Sequence, residues 1–148
     1  MLGKLARKLR LLGFDTVYYP EIDEDEIFEI SKERILLTRD KEVYRRASAK
    51  GFSAYYVEYD NWRAQLRKLM LDLKLYNEIE PFTRCVECNE PLIDAKPDEV
   101  RDKVPEYVYK TVESFKVCPR CGKVFWKGSH LNWIKKDMEK LVGEWKME

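Results

Sequence analysis

The chain has 148 residues, of which 45% are hydrophobic and 13% aromatic, and 28 Lys and Arg residues nearly balance 27 Asp and Glu residues. This composition predicts a folded chain of one or two small domains and excludes the low-complexity and strongly polybasic classes of protein. A mean hydropathy of −0.58 and short apolar runs predict a chain without a membrane span, so we expect a cytoplasmic protein. The 37% of charged residues is a proportion associated with thermophiles.

Helical and strand patterns alternate along the first half of the chain. The predicted helices begin near Leu2, Asp23, Lys41 and Trp62, and the predicted strands cover Asp15–Tyr19, Ile35–Thr38 and Ser53–Tyr59. This order predicts a small parallel sheet with helices on both faces. Ligands of such sheets bind beyond the carboxyl ends of the strands, where polar residues are therefore the first functional candidates.

The composition changes at Pro81, after which Cys, Pro, Val and aromatic residues replace the helical periodicity. We therefore predict a domain boundary there, with an α/β domain at residues 1–81 and a second unit at 82–148. Within the second unit, His130 to Trp145 returns to helical spacing and predicts a terminal helix.

Four cysteines give the most specific pattern in the sequence. Cys85 and Cys88 form one C-x2-C pair, and Cys118 and Cys121 form another. Two such pairs present four thiolates to one Zn²⁺ ion, and a site with four Cys ligands is closed and structural. Aromatic and β-branched residues around the second pair predict the strands of a zinc ribbon. The competing interpretation is two disulfides, which intracellular proteins of hyperthermophiles sometimes contain.

Carboxylates follow each predicted strand of the first half. Asp40 follows Ile35–Thr38, Asp23 and Asp25 follow the first strand, and Asp60 follows the third. Acids that converge at one sheet edge repel one another unless Mg²⁺ or Mn²⁺ lies between them, and such ions assist phosphodiester hydrolysis. The alternative is that these acids only cap the helices that follow, which is the favoured interpretation for Asp60.

Cationic residues accompany these acids and would contact a nucleic-acid backbone, or else form an ordinary solvated face. The nucleic-acid-binding candidates are Lys4, Arg7, Lys8, Arg39, Lys123, Lys127 and His130. His130 is the only histidine, and with four thiolates the zinc shell is full, so its alternatives are a structural role or a nucleic-acid contact.

Several stretches together resemble the Mut7-C ribonuclease-like family, whose members are similar to PIN domains and carry a C-terminal zinc ribbon. The stretches are MLGKLARKLRLLGFDT, IDEDEI, ILLTRDK, PFTRCVECNEPL and VCPRCGKVFWKGSH. The resemblance implies a PIN-like three-layer α/β fold and Mg²⁺- or Mn²⁺-dependent RNA cleavage by clustered acids. The T-R-D match implicates Asp40, and the acidic match implicates Asp23 or Asp25.

The chain departs from the family pattern at its start. Family members usually have a strand ending in Asp just before the M-L-G-x-L-A-R segment, whereas this sequence begins at that Met. Either the true start lies upstream of the given sequence, or the protein has lost this strand and its acid, in which case metal binding and catalysis are both in question and a sheet edge is open to pairing.

Three functions compete on these observations. The leading hypothesis is a metal-dependent endoribonuclease that cleaves single-stranded RNA, with a zinc ribbon that helps to hold the RNA. The alternatives are a non-catalytic RNA-binding protein and a zinc ribbon that docks on another protein.

Overall fold

A computed structural model describes residues 2–126. The predicted terminal helix and the candidates Lys127 and His130 lie outside these residues. The described helices are α1 (Gly3–Leu11), α2 (Glu24–Ile30), α3 (Lys41–Ala49), α4 (Trp62–Asp72), α5 (Pro97–Val100) and α6 (Glu106–Thr111), with 3₁₀ turns at Tyr76–Glu78 and Arg101–Lys103. The strands are β1 (Leu36–Thr38), β2 (Ala54–Tyr56), β3 (Ile93–Ala95), β4 (Phe115–Val117) and β5 (Val124–Trp126). The predicted mixed α/β architecture is confirmed.

The first sheet consists of β1 and β2, which pair in parallel with Leu37 opposite Tyr55. Parallel pairing requires a crossover connection, and α3 supplies it. Leu37 and Tyr55 pack against the core formed by α1 and α4, whereas Tyr56 contacts Tyr44 of α3. Because successive side chains of a strand point to opposite faces, helices cover both faces of this small sheet.

The predicted strand Asp15–Tyr19 is wrong, because residues 14–19 lie in no helix or strand and pair with no strand of the described chain. At Thr16, side chains form hydrogen bonds with the backbone N–H and carbonyl that a neighbouring strand would otherwise pair with. The Thr16 N–H donates to Asn89 Oδ1 at 2.9 Å, and Arg10 Nε donates to the Thr16 carbonyl at 2.8 Å. These bonds satisfy both backbone groups of Thr16 without a neighbouring strand.

The main core joins α1 to α4. Its buried members are Leu5, Leu9, Leu12, Leu66, Leu69, Met70 and Phe82, and Phe125 of β5 packs against them. Phe82 and Phe125 follow the predicted boundary at residue 81, yet both contact this core. The division into domains at that residue stays a prediction.

The second sheet is antiparallel, in the order β3-β4-β5. Its β4 and β5 lie where the aromatic and β-branched residues predicted ribbon strands, and Phe115 meets Trp126 edge-on. Val100, Val108 and Phe115 form a small core beneath it. The sequence analysis missed α5 and α6, since helices of four and six residues are too short to establish a helical period.

Gly13 ends α1 and permits a close approach of two chain segments. It has a φ of +96°, and a Cβ there would lie 2.3 Å from the Glu80 carbonyl oxygen and 2.8 Å from Thr83 Oγ1. Gly51 has a comparable φ of +86°, but a Cβ at that position would have no neighbour within 4 Å. Both glycines have a left-handed backbone conformation, but only at Gly13 do neighbouring atoms leave no room for a side chain.

We expect Gly13→Ala to destabilise the protein by about 3 kcal/mol, since left-handed strain of about 1–2 kcal/mol adds to an overpacking cost of similar size. Gly51→Ala is the matched control and should cost about 1 kcal/mol, from strain alone. Urea denaturation of both variants measures the difference. Equal losses of unfolding free energy in the two variants would show that the close approach of Glu80 adds no cost at position 13.

Candidate metal centre and sheet-edge acids

The four cysteines converge on one point. Their sulfurs all lie within 4.8 Å of one another, and Cys85 Sγ is 3.7 Å from Cys121 Sγ. Zn–S bonds of about 2.3 Å in a tetrahedron require S···S separations of about 3.8 Å, whereas a disulfide requires about 2.05 Å. All four thiols are free. The geometry therefore fits a metal ion and not the disulfide alternative.

Tight turns place the ligands. The Asn89 N–H donates to the Cys85 carbonyl, and the Gly122 N–H donates to the Cys118 carbonyl, each at 2.9 Å. Gly122 has a φ of +78°, which glycine adopts without a Cβ clash. The two turns face each other, since β3 and β4 pair between them.

The thiols differ in acidity. Burial raises the pKa of Cys85, and partial burial raises that of Cys88 to about 12. The Lys123 backbone amide lowers the pKa of Cys121 to about 7. A dication at the centre of the cluster compensates for the repulsion between several thiolates, which is the electrostatic reason for a metal there.

Helix α1 holds the first cysteine turn. Arg10 Nη1 donates to the carbonyls of Val86 and Glu87 at 3.0 and 3.2 Å. Arg7, a nucleic-acid-binding candidate, instead forms an ion pair with Glu87 at 2.7 Å. Two cations of α1 thus bind the first cysteine turn to this helix.

Asp15 strengthens the same junction. It accepts two hydrogen bonds of 3.1 Å from Arg34 and one of 2.7 Å from Asn89, which follows Cys88. The Arg34 guanidinium holds the pKa of Asp15 below its ordinary value. The carboxylate therefore stays ionised and keeps the segment that follows α1 against the first cysteine turn.

We expect Arg10→Lys to destabilise the protein by about 1–3 kcal/mol, because a lysine cannot replace the forked hydrogen bonds to Thr16, Val86 and Glu87. The measurement is the free energy of unfolding of the zinc-loaded protein in urea. Arg67→Lys, at an exposed position on α4, is the control and should change it little. A loss of equal size in both variants would refute the proposed role of Arg10.

Asp40 lies just beyond the carboxyl end of β1. Its Oδ1 accepts hydrogen bonds from the N–H groups of Glu42 at 2.9 Å and Val43 at 3.2 Å, so it is the N-cap of α3. The Thr38 hydroxyl accepts a hydrogen bond from the Asp40 N–H. The capping alternative is therefore correct for Asp40, and it is compatible with a second role for the carboxylate.

The other predicted acids have separate local roles. Asp23 caps α2 by accepting from the Glu26 N–H at 2.9 Å, and Asp25 lies in the first turn of that helix. Asp60 does not cap α4, because Asn61 does so through the Ala64 N–H. Asp60 instead pairs with Arg39 at 2.6 Å.

Among residues 2–126, the cysteines are the only group of three or more metal-ligating side chains whose ligand atoms lie this close together. Asp23, Asp25 and Asp40 form no such group. The described side chains therefore do not by themselves build a three-carboxylate site, and the catalytic assignment of these acids stays a prediction.

One charged contact near Asp40 was missed by the sequence analysis. Arg46 of α3 donates from Nε to both carboxylate oxygens of Glu24 at 3.0 Å, which ties α3 to the start of α2. Glu24, with smaller effects of Glu42 and Asp40, raises the pKa of Arg46. No local pattern could have revealed a pair so distant in sequence.

The other nucleic-acid-binding candidates within residues 2–126 have different environments. Lys4 is exposed, and Lys8 lies 4.6 Å from the centre of the Trp62 ring. Lys123 is 3.5 Å from Glu87 and 5.9 Å from the Phe125 ring centre. Their predicted contacts with nucleic acid stay predictions.

These features define a mixed α/β protein whose four clustered cysteines are positioned to hold a metal ion. The model of the Mut7-C RNAse domain matches residues 1–138, so the chain belongs to this family. The match confirms the resemblance found in the sequence. No curated protein and no solved structure matches the chain. Within residues 2–126, every helix is too short or too polar to span a membrane.

Proposed function

We propose that this protein is a metal-dependent endoribonuclease that cleaves single-stranded RNA. In this proposal residues 1–81 form a PIN-like three-layer domain, Asp40 acts with Asp23 or Asp25, and residues 82–148 form a zinc ribbon that helps to hold the RNA. The zinc ion is structural, and the catalytic ion is Mg²⁺ or Mn²⁺.

The position of Asp40 is the observation that carries the proposal. It lies at the carboxyl end of a parallel strand with helices on both faces, where such folds bind ligands. The chain's membership of a family of RNase domains supports phosphodiester cleavage at that position. A divalent ion bound there would activate water and neutralise charge that develops on the phosphate.

The environment of Asp40 is compatible with this role. Both capping bonds go to Oδ1, which leaves Oδ2 available as a ligand. Mg²⁺ commonly uses only one or two carboxylates and takes its other ligands from water and substrate phosphates. A site with few carboxylates is therefore expected to bind the ion weakly until RNA is present.

The zinc ribbon would add a modest electrostatic contribution to RNA binding. Lys116 pairs with Asp94 at 3.2 Å, and Arg120 lies 3.8 Å from Glu90. Because these cations already have acidic partners, the ribbon is not a strongly basic surface. This nearly neutral surface favours a ribbon that positions RNA for cleavage over the alternative of a ribbon that binds RNA without cleavage.

The proposal is tested with the full chain, Mn²⁺ and two RNAs labelled at the 5′ end, one single-stranded and the other the same strand annealed to its complement. We expect internal cleavage of the single strand and slower cleavage of the duplex. Salt-sensitive binding without cleavage would contradict the proposal and favour the RNA-binding alternative. Neither binding nor cleavage would favour a ribbon that docks on a protein.

A further inference from the structure

Two tyrosines meet at the end of the first sheet where Asp40 lies. The ring centres of Tyr44, on α3, and Tyr56, the last residue of β2, are 6.1 Å apart, and the rings are tilted by 50°. Tyr56 is opposite Thr38 in the parallel register, which places it at the carboxyl end of the sheet. The Tyr44 N–H donates to the Asp40 carbonyl at 3.0 Å, so Tyr44 lies one helical turn after Asp40.

Exposure distinguishes this pair from the other aromatic pairs within residues 2–126. Each of those contains a buried core ring, Phe28 at 6% exposure in one and Phe115 at 1% in the other. Tyr44 is 36% exposed, and Tyr56 is half-buried. Because two rings tilted in this way do not cover each other's faces, Tyr44 keeps part of an aromatic face available to a ligand.

Lys41 adds a positive charge to the pair. Its Nζ lies 5.9 Å from the centre of the Tyr56 ring, which is a cation–π distance. Lys41 and Tyr44 are three residues apart on α3 and therefore share one face of the helix. Arg45 of the same helix pairs with Glu42, whereas Lys41 forms no ion pair with any acid of residues 2–126. The Lys41 ammonium is therefore available to an anionic ligand.

An aromatic face beside a cation is typical of sites for single-stranded nucleic acid, in which bases stack on the ring and cations contact the phosphates. Bases in a duplex are already stacked on their neighbours, so such a site selects unpaired bases. At 1.5 Å per residue, Tyr44 lies about 6 Å from Asp40 along the axis of α3. A base on Tyr44 would therefore lie next to a phosphate bound at Asp40.

We propose that Tyr44, Tyr56 and Lys41 bind one unpaired base of the RNA substrate next to the cleaved phosphate. The base stacks on the Tyr44 ring, Tyr56 supports that ring from the sheet, and Lys41 contacts the adjoining phosphate. This inference rests on the proposed nuclease function, and it adds a physical reason for cleavage of single strands in preference to duplexes.

Tyr44→Leu tests the stacking. Leucine is a good helix former and keeps an apolar contact with Tyr56, but it has no aromatic face. Anisotropy of a fluorescent single-stranded RNA measures binding to the full chain, without added Mg²⁺ or Mn²⁺ so that the RNA stays intact. We expect Tyr44→Leu to weaken binding about tenfold and Tyr44→Phe to bind as the wild type does. Tyr107→Leu is the matched control and should also bind normally, since Tyr107 is 71% exposed on α6.

Lys41→Gln tests the charge. Loss of one phosphate contact should weaken binding and reduce the slope of log affinity against log salt by about 0.7. Lys110→Gln is the control and should leave the slope unchanged, because Lys110 already has an acidic partner, Glu106, at 3.9 Å. An unchanged slope in Lys41→Gln would overturn the assignment of Lys41 to the site.

The position of the stacked base is tested by cleavage with Mn²⁺ of an RNA that lacks a single base. We expect the wild type to cleave about tenfold more slowly at the phosphate next to the missing base than at the same phosphate of the intact RNA. Tyr44→Leu should cleave this phosphate equally slowly in both RNAs, because it has no stacking to lose.

The outcomes separate this inference from the nuclease proposal. Equal binding by the wild type and Tyr44→Leu, or the same local loss of cleavage in both proteins, would overturn the stacking site and leave the nuclease proposal standing. Tighter RNA binding by the wild type than by Tyr44→Leu, with no cleavage by either, would support the stacking site and contradict the nuclease. A wild-type chain that binds no RNA would overturn both.

Discussion

Replacing Cys85 with serine is expected to unfold the ribbon. Cys85 is fully buried in the four-cysteine cluster, and metal binding to structural zinc sites contributes about 10–16 kcal/mol in zinc-finger peptides. Among residues 2–126, the small core beneath the second sheet has only Val100, Val108 and Phe115 as buried members, which is too little apolar surface to replace that contribution. Zinc content and circular dichroism of the purified variant measure the effect.

Ser114→Ala is the control for this experiment, because Ser114 is exposed and lies just before β4. It should retain one zinc ion per chain and the wild-type spectrum. We also expect loss of zinc to weaken the main core, since Phe82 and Phe125 belong to the second half but pack on α1 and α4. A Cys85→Ser chain that keeps its zinc and its fold would refute the four-thiolate site.

Replacing Asp40 with asparagine is expected to lower RNA cleavage by about 100-fold or more, the size of effect seen when one preorganised electrostatic group is lost. Asparagine is as good an N-cap as aspartate, so the hydrogen bonds to Glu42 and Val43 and the fold should remain. The measurement is the single-turnover rate on single-stranded RNA with saturating Mn²⁺.

Asp102→Asn is the matched control for Asp40→Asn, since Asp102 is an exposed acid in the second half of the chain. It should cleave at the wild-type rate. Asp23→Asn and Asp25→Asn then show which acid of α2 contributes. Wild-type cleavage by a folded Asp40→Asn variant would remove the sheet edge from the mechanism.

The sequence predicts the elements whose patterns are local. The continuous apolar run of Ile35–Thr38 is typical of a strand covered on both faces, and β1 lies within it. The spacing of Cys85, Cys88, Cys118 and Cys121 is equally local within each pair, and the structure brings all four sulfurs together.

The contacts that join the two halves could not be predicted in this way. Arg10 binds the carbonyls of Val86 and Glu87, and Asp15 binds Asn89, over more than 70 residues of sequence. Arg10 and Asn89 also bond the Thr16 carbonyl and N–H, which is why no strand forms at Asp15–Tyr19. Its Val and Tyr residues favour a strand, but tertiary hydrogen bonds outweigh that propensity.

The most direct test of the central claim separates the two metals. Chelator treatment of the full chain would remove a zinc ion held by the four cysteines as well as any catalytic ion, so chelation alone is ambiguous. The treated protein is therefore restored with Zn²⁺ alone or with Zn²⁺ and Mn²⁺, and cleavage of single-stranded RNA is followed. We predict a folded but inactive protein with Zn²⁺ alone and cleavage when Mn²⁺ is added. Equal cleavage in both samples, or no cleavage in either, would contradict a metal-dependent nuclease centred on Asp40.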